Sequence, residues 1–182
     1  MSIFITSDLH FGHNKDFLYE PRGFSSIEEH DAAIVKNINE TVAKDDTLFI
    51  LGDLMMNDNE HGIEMLKQIN CEDVRVIIGN HDTPARIELY KALPHFTVLG
   101  TSAIIKHKKY NFLLSHYPTL TSNFDDDKKP SQRVWNICGH WHTKDKINPI
   151  ANSIHCELDA WGNYPVSMDI IKELIMEKNT HE

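Results

Sequence analysis

An α/β fold with a parallel sheet in its first half is what this sequence predicts, and three observations carry the prediction. Short β-branched and aromatic runs alternate with segments apolar at helical spacing, from Ile3 to the helix opened by Pro84, which implies right-handed crossovers and parallel pairing. After Phe96 the pattern changes to short strands with tight links, so the chain is α+β in some schemes. Finally, five predicted strands are followed at once by residues of metal-ligand type, and open α/β sheets place their sites outside the carboxyl ends of strands.

In order, Ile3-Phe4-Ile5-Thr6 reads as a buried strand. It runs into Ser7-Asp8-Leu9-His10, where a carboxylate and an imidazole two apart at a strand end face the same side. Gly12 then permits a tight turn, and Pro21-Arg22-Gly23-Phe24 reads as a loop. Ser26 opens a helix with Glu29 completing a capping box, and Ile27, Ile34, Val35, Ile38 and Val42 give it an apolar face. Lys44-Asp45-Asp46 is a turn before a second buried strand, 47–51, that ends at Gly52-Asp53. Asp58-Asn59 caps the next helix, with Ile63, Leu66 and Ile69 inward and Asn70 as its stop. A third strand, 74–78, ends at Gly79-Asn80-His81-Asp82, and Thr83-Pro84 starts a helix with proline where no amide hydrogen is needed.

In the second half, 96–98, 102–105 and 110–114 read as short strands, the last ending at Ser115-His116-Tyr117-Pro118. Residues 119–132 read as a long polar loop carrying the acidic run Asp125-Asp126-Asp127. Strand 134–138 ends at Gly139-His140-Trp141-His142, a short strand covers 154–158, and Ser167 caps a final helix with Met168, Ile171, Leu174 and Ile175 on one face. No internal repeat, linker or boundary interrupts the chain, so residues 1–182 are expected to form one domain.

Composition excludes several classes. A net charge of −9 and the absence of a basic tract beyond Lys106–Lys109 argue against extended nucleic-acid binding. Cys71, Cys138 and Cys156 are odd in number and lack any C-x-x-C, which predicts reduced thiols in a cytoplasmic protein. No apolar stretch approaches a membrane span, and Met1-Ser2-Ile3-Phe4 runs directly into a strand without a basic leader.

The constellation of chemistry is Asp8/His10, Asp53, Asn80/His81, His116 and His140/His142, with a glycine directly before the ligand in three of the five stretches, where the backbone must turn sharply. Mixed oxygen and imidazole ligands suit manganese, iron, zinc or nickel over magnesium or calcium. The ligands are too many for one tetrahedral ion and fit two ions sharing a carboxylate. Such pairs activate a hydroxide and clamp the oxygens of an in-line phosphoryl displacement.

The order D-x-H, GD, GNHD, H, GHxH over residues 8–142 resembles the signature of the calcineurin-like metallophosphoesterases. The opening Asp8-Leu9-His10-Phe11-Gly12-His13 and the tail Asp159-Ala160-Trp161-Gly162 through Pro165-Val166-Ser167 resemble a small bacterial and phage branch of undefined substrate. The resemblance implies a four-layer αββα sandwich around two central mixed sheets and a dinuclear site. It places Asp8, His10 and His142 on the first metal, Asp53 as the bridge, and Asn80, His116 and His140 on the second. His81 matches the histidine near the leaving group, a proton donor or charge stabiliser. The arginine that many relatives carry after the GD motif is missing from Leu54-Met55-Met56-Asn57, so Arg22 and His13 are the candidate substrate contacts.

The expected function is therefore metal-dependent phosphoester hydrolysis, with manganese supporting activity and a small phosphodiester or nucleotide as substrate. A phosphomonoesterase and a non-catalytic metal-binding scaffold are the alternatives; a DNA nuclease is disfavoured by the charge. Simpler roles stand beside the sharper ones. Asp82 suits a turn or helix start, and His13 a helix start as well as a substrate contact. Trp135, Trp141 and Trp161 suit core or rim packing, and the 125–127 run a solvated face. His30, His61, His95, His107, His155 and His181 read as surface or structural, and Cys138 as a small buried hydrophobe.

Overall fold

In the computed structural model, which describes residues 1–121, 128–148 and 153–180, the first half builds one sheet and the second half another. Strands β1 (Ile3–Thr6), β2 (Thr47–Leu51), β3 (Asp73–Ile77) and β4 (Phe96–Gly100) are parallel and lie side by side in chain order. A parallel sheet that grows in one direction through right-handed crossovers puts every connecting helix on the same face. That face receives α2 (Ile27–Thr41), α3 (Asn59–Leu66) and α4 (Pro84–Lys91), while the short α1 (Asp16–Tyr19) sits between β1 and α2 in the chain.

The second sheet has the order β5-β6-β7-β9-β8. β5 (Ser102–His107) and β6 (Tyr110–Ser115) form an antiparallel hairpin, β7 (Val134–Cys138) and β9 (Ser153–His155) continue parallel to β6, and β8 (Ile147–Asn148) closes antiparallel on β9. After β9, the chain returns to the first sheet, where β10 (Val166–Ser167) pairs antiparallel with β1 and leads into α5 (Met168–Thr180).

Alternation along the strands of the first sheet feeds two cores. Leu48, Ile50, Val74 and Val76 face the helices and pack with Ile34, Val35, Ile38, Leu66 and Tyr90. Ile5, Phe49, Leu51 and Ile77 face the second sheet, where Phe112, Leu114, Trp135, Ile137 and Ile154 meet them and α5 adds Ile171 and Ile175. Burial on both faces is why β2 reads as one continuous apolar run.

Several details differ from the expectations. Ser26 accepts from the Glu29 amide as predicted, but Glu29 returns the bond to Ser25 rather than to Ser26, so the box is offset by one residue. α3 stops at Leu66, before Asn70, yet Ile69 is still buried in the following turn. The strand expected over 154–158 is only Ser153–His155, because Leu158–Trp161 winds into a 3-10 turn. α1 and β8 carried no periodic signal, being two to four residues long. His30 is wholly buried, as is Trp135, while Trp141 is an exposed rim residue. Asp125–Asp127 and His181 lie outside the described residues.

The two faces of the β5–β6 hairpin should respond differently to truncation. Leu114 is 0% exposed between the sheets and Ile104 is 75% exposed. In urea denaturation Leu114→Ala should lose about 2–5 kcal/mol, whereas Ile104→Ala should stay within about 0.5 kcal/mol of the parent.

Candidate metal centre

The candidate ligands sit just beyond the strands, in turns rather than at strand ends. β1 finishes at Thr6, and Asp8 and His10 follow in left-handed backbone with φ of 59° and 52°. Asp53, His140 and His142 share that conformation, at 55°, 77° and 49°. Strand alternation therefore does not aim Asp8 and His10; paired left-handed turns do. Non-glycine residues held there cost of order 1–3 kcal/mol each and cluster at functional sites.

The loops are laced together by their backbones. Asp8 N donates to Gly52 O (3.1 Å), His10 N to Asp53 O (3.0 Å), Phe11 N to Leu54 O (3.1 Å), and Gly139 N to His116 O (3.0 Å). The three glycines before ligands serve this convergence. Only Gly52 turns the chain through positive φ, at 93°. A side chain on Gly79 would run into the Asp53 carboxylate, and one on Gly139 into Ser7 and Asp8. Close approach, more than sharp turning, is what requires glycine at these two positions.

Around this seam the donor atoms converge. Asp8 and Asp53 are 0% and 1% exposed. Asp8 Oδ2 accepts from Ser7 Oγ (2.6 Å) and His140 N (2.9 Å), but its buried Oδ1 has no hydrogen-bond partner. That oxygen lies 3.7 Å from His10 Nε2 and 3.5 Å from His142 Nε2, and the two imidazole nitrogens are themselves 3.2 Å apart. Asp53 Oδ1 accepts from the His81 amide (2.8 Å), which turns Oδ2 toward His10 (3.8 Å) and His116 (3.5 Å). His116 places its Nδ1 hydrogen on Leu51 O (2.8 Å), leaving the Nε2 lone pair toward Asn80 Oδ1 (2.8 Å) and His140 Nδ1 (3.2 Å).

Carboxylate oxygens and imidazole nitrogens thus converge on both sides of Asp53, an arrangement a divalent cation would satisfy. Asp8, His10 and His142 form one group with metal-ligand spacing, and Asp8, Asp53 and His116 a second. Asp8 is common to both groups.

Charge follows the same logic. Burial pushes the His10 imidazole down to about 4, so it is neutral at physiological pH. Burial alone would raise Asp8, but His10, His142 and His116 hold its carboxyl well below the usual range. Burial raises Asp53 and lowers His140, with His116 adding to the latter. Burial works to lower His142 too, yet its hydrogen bond to Asp159 and the Asp8 charge leave it raised.

Arg22, the candidate phosphate contact, has a different occupation. Its side chain is 0% exposed, with Nε and Nη2 on the Asp159 carboxylate (3.2 and 2.8 Å), Nη2 also on Asp8 O (3.0 Å), and Nη1 against His30 Nε2 (3.0 Å). Arg22 is thus fully engaged inside the fold and braces the site from there. Sequence reasoning missed its partners. Asp159 accepts from His142 Nδ1 (3.0 Å), and Asp31 accepts from the Gly12 amide (2.9 Å) while meeting His30 (2.7 Å) and His61 (2.8 Å). Asp82, read as a turn residue, ties two loops by accepting from Asp53 N (2.9 Å), Gly79 N (2.8 Å) and Tyr90 Oη (2.8 Å). No spacing rule exposes these roles, because most of the partners are distant in sequence.

His81 sits at the rim with its side chain 38% exposed and Nε2 3.9 Å from Asp53 Oδ2. His13 lies beside His10, ring centroids 5.6 Å apart.

A family model for the calcineurin-like phosphoesterase superfamily domain matches residues 1–153. An uncharacterized protein of Methanocaldococcus jannaschii is 34% identical over 182 residues, covering 95% of this chain and 90% of its own. The gene 66 protein of Mycobacterium phage L5 is 32% identical, covering 93% and 92%. Among solved structures, a protein of unknown function from Aquifex aeolicus shares the fold with a TM-score of 0.70 at 22% identity, covering 95% of this chain and 98% of that one. A phosphoesterase from E. coli, Yfce, gives 0.52 at 17% identity, covering 86% and 78%.

Two substitutions away from the donor atoms should show in metal affinity. Asp159→Asn removes the carboxylate that orients His142, and the loss of such an outer partner costs about 10–100-fold in metal affinity, readable by manganese titration calorimetry. Gly79→Ala, at ordinary φ, should weaken manganese binding through its clash with Asp53; undiminished affinity would show that the close approach is not needed.

Proposed function

The chain belongs to the calcineurin-like phosphoesterase superfamily, and from that premise we propose that it hydrolyses a small phosphodiester or nucleotide in the crevice between its two sheets' carboxyl ends. One observation carries the reading: a buried, unpartnered Asp8 oxygen faces imidazole nitrogens that have no protein donor of their own between them. Asp8, His10 and His142 would hold one divalent transition metal and Asn80, His116 and His140 the other, with Asp53 between. Manganese is proposed ahead of iron, zinc or nickel. Bound there, two such ions supply a water activated at neutral pH and neutralise charge on the phosphate.

The remaining work falls to the chain itself. Asp53 Oδ1 fixes the His81 amide, which holds the ring at the open rim where a departing ester oxygen takes a proton. His13, buried to 8% exposure, borders the same cavity as His10 and His81 and is proposed as a substrate contact. Leu54 and Met55 after the GD motif are wholly buried, and Arg22 is engaged elsewhere. With no arginine among the described residues that line the crevice cavity, a monoanionic diester asks less of the site than a dianionic monoester. Residues past the family match support one domain over 1–182, since Asp159 braces His142 and β10 joins the first sheet.

Assays with added manganese test this directly. Bis(4-nitrophenyl) phosphate should turn over faster than 4-nitrophenyl phosphate; the reverse order across all metals tried removes the diester preference. Asp53→Asn should lose metal and activity together. His81→Ala should keep its metal while losing about 10²–10⁴-fold in rate, most on esters with high-pKa leaving groups. An equal loss on activated nitrophenyl esters would rule out proton donation.

A further inference from the structure

We propose that the cavity beside His13 and Phe17 is a subsite for a flat aromatic ring carried on the leaving arm of the phosphoester; this deepens, and rests on, the phosphoesterase reading. The cavity measures about 520 Å³, within the roughly 300–1,000 Å³ of small-ligand pockets. One wall is the crevice itself, through His10, His81 and His142. The other is apolar: Phe17, Leu18, Pro21 and Met56. Phosphate chemistry has no use for that second wall, whereas the group attached to the phosphate does.

Phe17 is held out deliberately by its surroundings. Leu18 and Tyr19 anchor α1 at 5% and 8% exposure, and Tyr19 Oη donates to Asp16 Oδ1 (2.6 Å), while Phe17 remains 73% exposed. Its ring stands edge-on to His13, centroids 5.6 Å apart at 84°. The exposed phenyl ring, with the His13 ring beside it bordering the same cavity, offers a stacking surface to a heteroaromatic ring.

A second groove, of about 330 Å³, is lined by Ile78, Gly79, Asn80, Leu113, Ser115 and Tyr117 among others. His81 borders the apolar cavity and not this groove, so the arm whose oxygen departs is assigned to the apolar side. No lysine or arginine lines that side, which disfavours a further phosphate and leaves a ring as the feature to be recognised. A nucleobase and the aryl group of a simple ester share this chemistry.

Two ligand pairs separate the sources: phenylphosphonate against methylphosphonate, and adenosine 5′-monophosphate against ribose 5-phosphate. Each would be titrated calorimetrically into manganese-loaded protein. The ring-bearing member should bind at least about 5-fold tighter, the lower end for stacking on an aromatic side chain. Phe17→Ala should bring the ratio close to one and Phe17→Tyr should keep it, with the thermal midpoint reporting that the fold is intact. A preference in both pairs supports a nucleobase, and one confined to the phenyl pair supports a small aryl ester. A ratio near one in the parent protein, or a ratio that survives Phe17→Ala, overturns the subsite. Ester hydrolysis without ring preference overturns it alone; no hydrolysis of any ester and no binding of either pair overturns the phosphoesterase reading and the subsite with it.

Discussion

Two buried carboxylates, Asp8 and Asp53, impose the constraint on which the rest of the structure depends. Both lie almost fully out of water and within one ligand-sized group. Burying one ionised carboxylate without compensation is expensive, and burying two together is more so. Compensation comes from backbone amides and from imidazoles. His140 N and His81 N are aimed at Asp8 and Asp53, and His10, His116 and His142 surround them. None of these donors comes from the same turn as the carboxylate it serves, except His10.

Bringing donors from separate loops so close explains features that would otherwise be liabilities. Left-handed backbone at Asp8, His10, Asp53, His140 and His142 folds each side chain back over its strand end. Gly79 and Gly139 leave room for the neighbouring carboxylate. The strain is offset by rigid surroundings: two sheets packed face to face below the loops, and helices behind them.

The helices contribute more than packing. α2 sends Asp31 to the Gly12 amide and His30 to Arg22, and Arg22 in turn holds the Asp8 carbonyl and Asp159, the carboxylate that accepts from His142. Tyr90 of α4 donates to Asp82, which grips the Gly79 and Asp53 amides. Both helices thereby fix loops on the sheet they cover. The buried ion pair of Arg22 and Asp159 is best understood as a positioning device, since buried pairs contribute little net stability once desolvation is counted.

The sequence by itself determined the strand–helix alternation, the parallel first sheet, the switch to a hairpin-built second sheet and the donor residues at the loops. All of these follow from local signals: period, capping residues, turn residues and the type of side chain after each strand. Only the tertiary structure decided how those donors meet. Asp8 reaches both groups, Gly79 and Gly139 are there for space, Asp82 joins two loops, and Arg22 faces inward to Asp159 across 137 positions of chain. Partnerships of that kind have no periodicity to reveal them. They depend on which loops the sheets bring within hydrogen-bond reach, and that is settled by how the two sheets pack rather than by any one stretch of sequence.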